Sequence, residues 1–427
     1  MSTKKTYIQI TPSNVLSNGK VSYRNGNPVV RFEIGERDMH LIPSSIRLSG
    51  KLATFYNSAG DLSQNASFLN FSNKLGAMGV IEQVQFASQR TKQTIEHIKH
   101  ADRLYSSLLG VRSSLQDYSD PYGNESLTVP NKFLQQKMVS YPAAINTPLN
   151  FCMPIISGFT GGSDFYPLKG NGLEITLSLQ PDSNFFYNTS GAPIAGQDTA
   201  FYELSDLELF AEGIVSSDGS PLPEINSLEY NSISSYYETI NSTNAIINMP
   251  LSRRNVLGVF ANFIPSNYLN NREFDGSQCR PPLNSNGTVA RIDKLTFTRG
   301  GQRFPLEYNI DTIHRNQGTE RCDSQILYNY INGITEFSRL KRTLVNQQTT
   351  NTVDGATDKN VRELGNLYGV GCSFTNISRG GIDFLNESLG IQMDLDLTSD
   401  FPNSVYLFAI NREKITFSNT QGIMVSN

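Results

Sequence analysis

Apolar and polar residues alternate along much of the chain. Val30, Phe32 and Ile34 are separated by Arg31 and Glu33, and Ile46, Leu48 and Leu52 line one side of the next run. From Leu173 to Leu179 every odd position is apolar and every even one polar. Leu207, Leu209 and Ala211 alternate with Asp206, Glu208, Phe210 and Glu212. Ile391, Met393, Leu395 and Leu397 alternate with Gln392, Asp394 and Asp396, and Ile415 and Phe417 repeat the habit near the end. A strand projects successive side chains to opposite faces, so this pattern predicts antiparallel sheets with one face on a core and one in water. Val405-Tyr406-Leu407-Phe408-Ala409-Ile410 is apolar on both faces and predicts a strand covered on both sides.

Two stretches carry helical spacing instead. Ile95, Ile98, Ala101, Tyr105 and Leu108 predict a helix over about residues 91–111. Leu327, Tyr330, Ile331, Ile334, Phe337 and Leu340 predict another over 324–344, with Asp323 or Ser324 as its cap. Turn-rich segments separate the strands, among them Asp120-Pro121-Tyr122-Gly123-Asn124, Ser217-Asp218-Gly219-Ser220-Pro221 and Arg280-Pro281-Pro282-Leu283-Asn284.

The two halves echo each other. Gly172-Leu173-Glu174-Ile175-Thr176-Leu177-Ser178-Leu179 matches Gly390-Ile391-Gln392-Met393-Asp394-Leu395-Asp396-Leu397, which makes Leu177 and Leu395 expected equivalents in two cores. Phe159-Thr160 is echoed by Phe374-Thr375, and Asp164-Phe165 by Asp383-Phe384. In both halves the amphipathic helix precedes the matching strand. A chain of 427 residues divides comfortably into two sandwiches of roughly 200 residues each. Gly, Pro and Ser concentrate between Ser217 and Ile225, which places the division there: 1–220 and 221–427.

Composition narrows the function classes. Charged residues are only 17% and the net charge is −4, a poor match to a protein that grips phosphate backbone; Lys4-Lys5 is too short for a nucleic-acid arm. Cys152, Cys279, Cys322 and Cys372 are scattered, with no CxxC pair, and read as free thiols. Met1 to Tyr7 holds no apolar run, so no secretory signal is expected, and no stretch is apolar enough for a membrane span. The sequons Asn65-Ala66-Ser67 and Asn376-Ile377-Ser378 are then chance products of an Asn/Ser/Thr-rich chain.

Candidate chemistry is thin. His97 and His100, three apart on the expected helix, could share a face, but no Cys joins them and Lys92, Lys99 and Arg103 would repel a cation. His40 and His314 have no readable partner. Asp394 with Asp396, and Asp206 with Glu208 and Glu212, could form acid/base pairs or a Ca²⁺ site, yet each set also fits the wet face of a half-buried strand. Gly158-Phe159-Thr160-Gly161-Gly162-Ser163 lacks the Lys of a phosphate-binding loop and no helix is expected after it. Gly300-Gly301 and Gly380-Gly381 read as turns or bulges. Tyr236-Tyr237 and Arg253-Arg254 could contact glycans or nucleic acid, or simply pack. The reading therefore assigns no catalytic, cofactor-binding or metal-binding residue.

The order of segments resembles the double jelly-roll major capsid proteins of icosahedral DNA viruses, the adenovirus-like, virophage and polinton-like lineages. Phe32-Glu33-Ile34-Gly35-Glu36 with Leu41-Ile42-Pro43-Ser44-Ser45-Ile46 is similar to their opening strands. Gly79 to Phe86, then Ile95-Glu96-His97-Ile98, resembles the strand and helix that follow, and Leu173 to Leu179 with Pro181 to Tyr187 the late strand of the first roll. The resemblance implies an all-β fold of two tandem jelly-roll β-sandwiches, each with one inserted helix. It also implies a shell subunit and no enzyme: a homotrimer with a six-fold-like outline that contacts neighbouring capsomers, a vertex (penton) protein and minor capsid proteins in the virion. Two other classes stay open: a vertex, spike or carbohydrate-binding protein, for which the absence of Trp is unfavourable, and a β-sandwich hydrolase, for which no acid/base pair stands out.

Overall fold

The computed structural model of the chain describes residues 2–15, 19–24, 26, 28–55, 59, 69–71, 75–111, 149–162, 164–188, 199–271, 292–305, 309–311, 324–337, 369–375, 377–395, 402–418 and 422–426. In chain order come β1 (Thr3–Ile10), β2 (Lys20–Val21), β3 (Val29–Ile34), β4 (His40–Phe55), β5 (Leu69–Phe71), β6 (Ile81–Ala87) and β7 (Thr94–Ile98). Helix α1 (Ala101–Val111) is followed by β8 (Leu149–Pro154), the single turn α2 (Gly158–Gly161), β9 (Tyr166–Pro167) and β10 (Leu173–Leu179). The turn α3 (Asp182–Phe185), β11 (Phe186–Asn188) and β12 (Phe201–Ser216) complete this half. The other half runs β13 (Ser227–Ile240), β14 (Asn244–Met249), β15 (Val256–Pro265), β16 (Ile292–Arg299), β17 (Gln302–Arg303) and β18 (Asn309–Asp311). It ends with α4 (Ser324–Thr335), β19 (Val370–Ser373), β20 (Leu389–Leu395), β21 (Asn403–Ser418) and β22 (Gly422–Ser426).

The sheets repeat. One pair has the orders β1-β12-β4-β8 and β3-β10-β6-β7; the other has β13-β21-β15-β19 and β14-β20-β16-β17, with β18 also on β16. Every ladder is antiparallel. Each half is thus a sandwich of two four-stranded sheets joined in jelly-roll order, extended by short edge strands. α1 and α4 enter at corresponding points, between β7 and β8 in one half and between β18 and β19 in the other. The fold is all-β with two tandem jelly rolls, each with one inserted helix.

The alternation seen in the sequence is the in/out pattern of these strands. On β10 the odd residues are buried and the even ones half-buried. Leu177 and Leu395 are both buried, but the ladders pair them differently than the sequence echo suggests. Ile175 and Leu177 oppose Phe86 and Val84, and Leu179 opposes Ile81. Ile391 and Met393 oppose Phe297 and Leu295, and Leu395 opposes Ile292. Leu395 therefore corresponds to Leu179, two residues further along than Leu177. The same bulge confirms it: both β6 and β16 carry one extra residue, Glu82 and Asp293, just after that pair. The echo of Phe165 in Phe384 also fails, because Phe165 is exposed while Phe384 is buried. Leu397 and Asp396 lie outside the described residues.

Both helices are shorter than their periodicity suggests. Residues Thr94–Ile98 form strand β7, paired with β6, and α1 begins only at Ala101. Ile95, Glu96 and Ile98 are all buried, because β7 is covered on both faces. A doubly covered strand loses its period-two signal, and Ile95 and Ile98 then mimic a helix. α4 begins at Ser324 as expected but stops at Thr335; Leu340 lies outside the described residues.

A seam between the rolls explains the apolar run near the end. Tyr406, Phe408 and Ile410 on β21, with Ile233, Phe260 and Ile264, belong to the same continuous core as Phe86, Phe159 and Ile95 of the first roll. Val405, Leu407 and Ala409 point the other way, into a second core with Val259, Phe263 and Ile391. β21 is consequently buried on both faces, and so is β15 along its whole length, where α4 of the same roll also covers it through Tyr330 on Phe260. Each fully buried Phe or Ile contributes about 1.5–3 kcal/mol, so this seam is a core rather than a loose contact.

Candidate functional site

Inside the apolar seam lies a chain of buried polar groups that joins the two rolls. Glu96 of β7 is its centre. Its carboxylate accepts hydrogen bonds from the backbone N–H of Gly158 at 3.1 Å and Phe159 at 2.9 Å, at the start of α2. It accepts a third from the N–H of Ile233, across the seam on β13, at 2.8 Å. Residues 158–161 of the glycine-rich segment thus build one helical turn, where no helix was expected, and its first N–H groups are met by a carboxylate of the same chain. Gly158 is obligatory there: a Cβ would lie 1.9 Å from the carbonyl oxygen of Asn231.

Two further links run alongside. Tyr230 donates to the carbonyl of Ile95 at 2.7 Å and to Glu413 at 3.0 Å, and Glu413 pairs with Arg253 at 3.2 Å. Asn262 of β15 donates to the carbonyl of Arg103 at 3.3 Å and to the Ser107 hydroxyl, both on α1, while Tyr330 of α4 donates to Asn262. Arg103 and Asp102 form a buried pair at 3.3 Å, Gln180 donates to Asp102, and the Arg103 guanidinium lies over the Tyr406 ring. Removal from water pushes the carboxyl of Glu96 up to about 7, against the pull of its three N–H donors, and the Glu413 charge adds to the rise. Glu413 is likewise raised by burial. Buried charge of this kind is held only where partners meet it, and here the partners come from both rolls. The arrangement fixes geometry; its donors and acceptors face each other.

The residues singled out in the sequence are dispersed. His97 is on strand β7, hydrogen-bonded to Gln83, and His100 sits past its end with φ +55°, its ring against Tyr406 and Tyr237. They do not share a helix face. Burial lowers the pKa of both, and of His40. Asp394 pairs with Lys294, Asp206 with Lys51 and Glu212 with Lys5, each on the outer face of a sheet. Gly300 and Gly301 form a turn with positive φ, as does Gly381. Arg254 reaches Asp383 at 3.9 Å, and Tyr236 donates to the carbonyl of Leu251. Neither Cys152 nor Cys372 is in a disulfide; Cys279, Cys322 and His314 lie outside the described residues. Among the described residues no three His, Cys, Asp or Glu side chains gather as metal ligands, and no helix is long and apolar enough to cross a membrane. Sequence reasoning missed Glu96, although an acid between Ile95 and Ile98 in an apolar run was the available signal.

Together the fold and its seam define a double jelly roll, two sandwiches of one topology welded by a shared core. Solved structures of viral shells have this fold. VP54 of PBCV-1, fitted into a reconstruction of the virophage Sputnik, is similar over 100% of this chain and 97% of its own, with TM-score 0.57 and 12% identity. The Faustovirus major capsid protein matches over 98% and 91%, with TM-score 0.55 and 11% identity. The mavirus major capsid protein matches over 99% and 90%, with TM-score 0.50 and 10% identity. No family model and no curated protein matches the sequence.

Proposed function

We infer that the chain is the major structural subunit of an icosahedral viral shell and works without catalysis. The carrying observation is the repeated strand order of the two rolls, locked by one core and one hydrogen-bonded seam into a single two-lobed block. Three such blocks around an axis present six similar lobes, an outline that tiles a hexagonal lattice. The full-length likeness to major capsid proteins of Faustovirus and mavirus supports the reading. In this reading residues 1–220 and 221–427 are the two domains. The partners are two further copies, neighbouring capsomers, a vertex protein and minor capsid proteins, and the place of work is the virion shell. Light scattering on the purified protein tests it. The expected mass is that of three 47.4 kDa chains; a single-chain mass at all concentrations would overturn the reading and favour a binding module.

A further inference from the structure

One link of the seam has fewer hydrogens than acceptors. Ile95 lies at a bulge in β7: Glu96 pairs with Phe86 and Thr94 with Ala87, so Ile95 has no partner residue on β6. Its carbonyl turns across the seam instead and meets the Tyr230 hydroxyl of the second roll at 2.7 Å. The same hydroxyl lies 3.0 Å from Oε2 of Glu413 on β21. All three residues are buried. A phenol has one hydrogen to give, and both of its neighbours are acceptors while Glu413 is ionised.

A proton on Glu413 supplies the missing hydrogen. Oε1 of Glu413 accepts from the Asn411 amide at 3.1 Å and the Arg253 guanidinium at 3.2 Å, and it still accepts from them as the carbonyl oxygen of a neutral acid. Oε2 then donates to the Tyr230 oxygen, and Tyr230 donates its own hydrogen to Ile95. Acid, phenol and carbonyl form one directed chain from the second roll into the first. When Glu413 loses the proton, its charged Oε2 is the stronger acceptor and takes the Tyr230 hydrogen. The Ile95 carbonyl is then buried without that donor, a cost relieved only where the seam opens and admits water.

We propose that Glu413, Tyr230 and Ile95 form a proton-operated latch between the rolls: with the proton on Glu413, Tyr230 holds the first roll through the Ile95 carbonyl, and without it Tyr230 turns to Glu413 and releases that carbonyl. The surroundings fit a group that changes charge. Burial raises the Glu413 carboxyl above its ordinary range, against the pull of Arg253 and of hydrogen bonds from Tyr230, Ser232 and Asn411. Burial and the two neighbouring acids keep Tyr230 well above its own ordinary range, so the phenol retains its hydrogen throughout. The other titratable groups facing the pair are Glu96 of β7 and, beyond it, Tyr105 of α1. Glu96 is met by the backbone N–H groups of Gly158, Phe159 and Ile233, so it neither supplies nor takes the Tyr230 hydrogen. A raised folded value stabilises below the ordinary carboxyl range, and that stability is lost as pH rises through the folded value. The latch is therefore closed in acid and opens toward alkali, within a single chain and whether or not chains assemble.

Amide exchange on the full chain tests the latch. Glu96 titrates in the same seam, so its share is separated with Glu413→Gln, whose amide can donate to Tyr230 at every pH. From about pH 5 to about pH 9 the parent should lose roughly three- to tenfold more protection at Phe159 and Ile233 than Glu413→Gln does, the ratio that one hydrogen bond commonly carries. Tyr230→Phe has no hydrogen to redirect and should lose no more than Glu413→Gln. A second measurement needs no variant to fold: in the parent, the carbon-13 shifts of the Glu413 carboxyl and the Ile95 carbonyl should titrate together, above the ordinary carboxyl range. Equal loss of protection in the parent and Glu413→Gln overturns the latch. So does a Glu413 carboxyl that titrates in the ordinary range, or an Ile95 carbonyl that stays still while Glu413 titrates.

Discussion

Glu96 shows how much one side chain can hold in this fold. Three backbone N–H groups from two rolls converge on its carboxylate. Its folded value near 7 stands above the ordinary 4.5, so proton binding favours the folded state. The stability this contributes is fully present below about pH 4.5 and is lost as pH rises through about 7. Burial lowers the three histidines His40, His97 and His100, which pull the other way. Glu96→Gln isolates the effect, because those groups are common to both proteins. The parent's melting temperature should gain on the variant between pH 8 and pH 5, and an unchanging difference would show that Glu96 does not titrate there. Gly158 makes the complementary point about space. Gly158→Ala must displace Asn231, and overpacking of this kind costs about 1–3 kcal/mol. Chemical denaturation measures it; a parental midpoint would mean the turn moves freely out of the way.

At the scale of elements, the single-faced strands and the doubly covered run 405–410 of β21 were legible, and the doubly covered β7 was not. β10 and β12 alternate because water lies on one side. β7 does not, because the second roll lies on its far side, and two isoleucines three apart then read as a helix. That contact is tertiary and leaves no local mark except an unexplained acid. The echo between halves was visible, but its register slipped by two residues. Leu-x-Leu fits a strand in several registers, and only the paired bulges at Glu82 and Asp293 fix it. Hydrogen exchange should reproduce the same division. Amides of β15 and β21, buried on both faces, should be the slowest, and those of β1, an edge strand, among the first to exchange. Equal protection of β1 and β21 in the free subunit would contradict the seam.

For the whole molecule, the seam joins the two rolls into one two-lobed block. Specificity here is shape: two lobes set at a fixed angle by a core and a ladder of buried hydrogen bonds. Each contact between copies should then bury more than about 1,000 Å² in total, enough for a stable but separable interface. Genome binding should be weak, since a net charge of −4 offers little counterion release. The most direct measurement is imaging of the purified protein by electron microscopy, first as free particles and then at high concentration. The account predicts hexagonal particles with a three-fold repeat that pack into sheets or closed shells; fields of isolated two-lobed monomers at every concentration would contradict it.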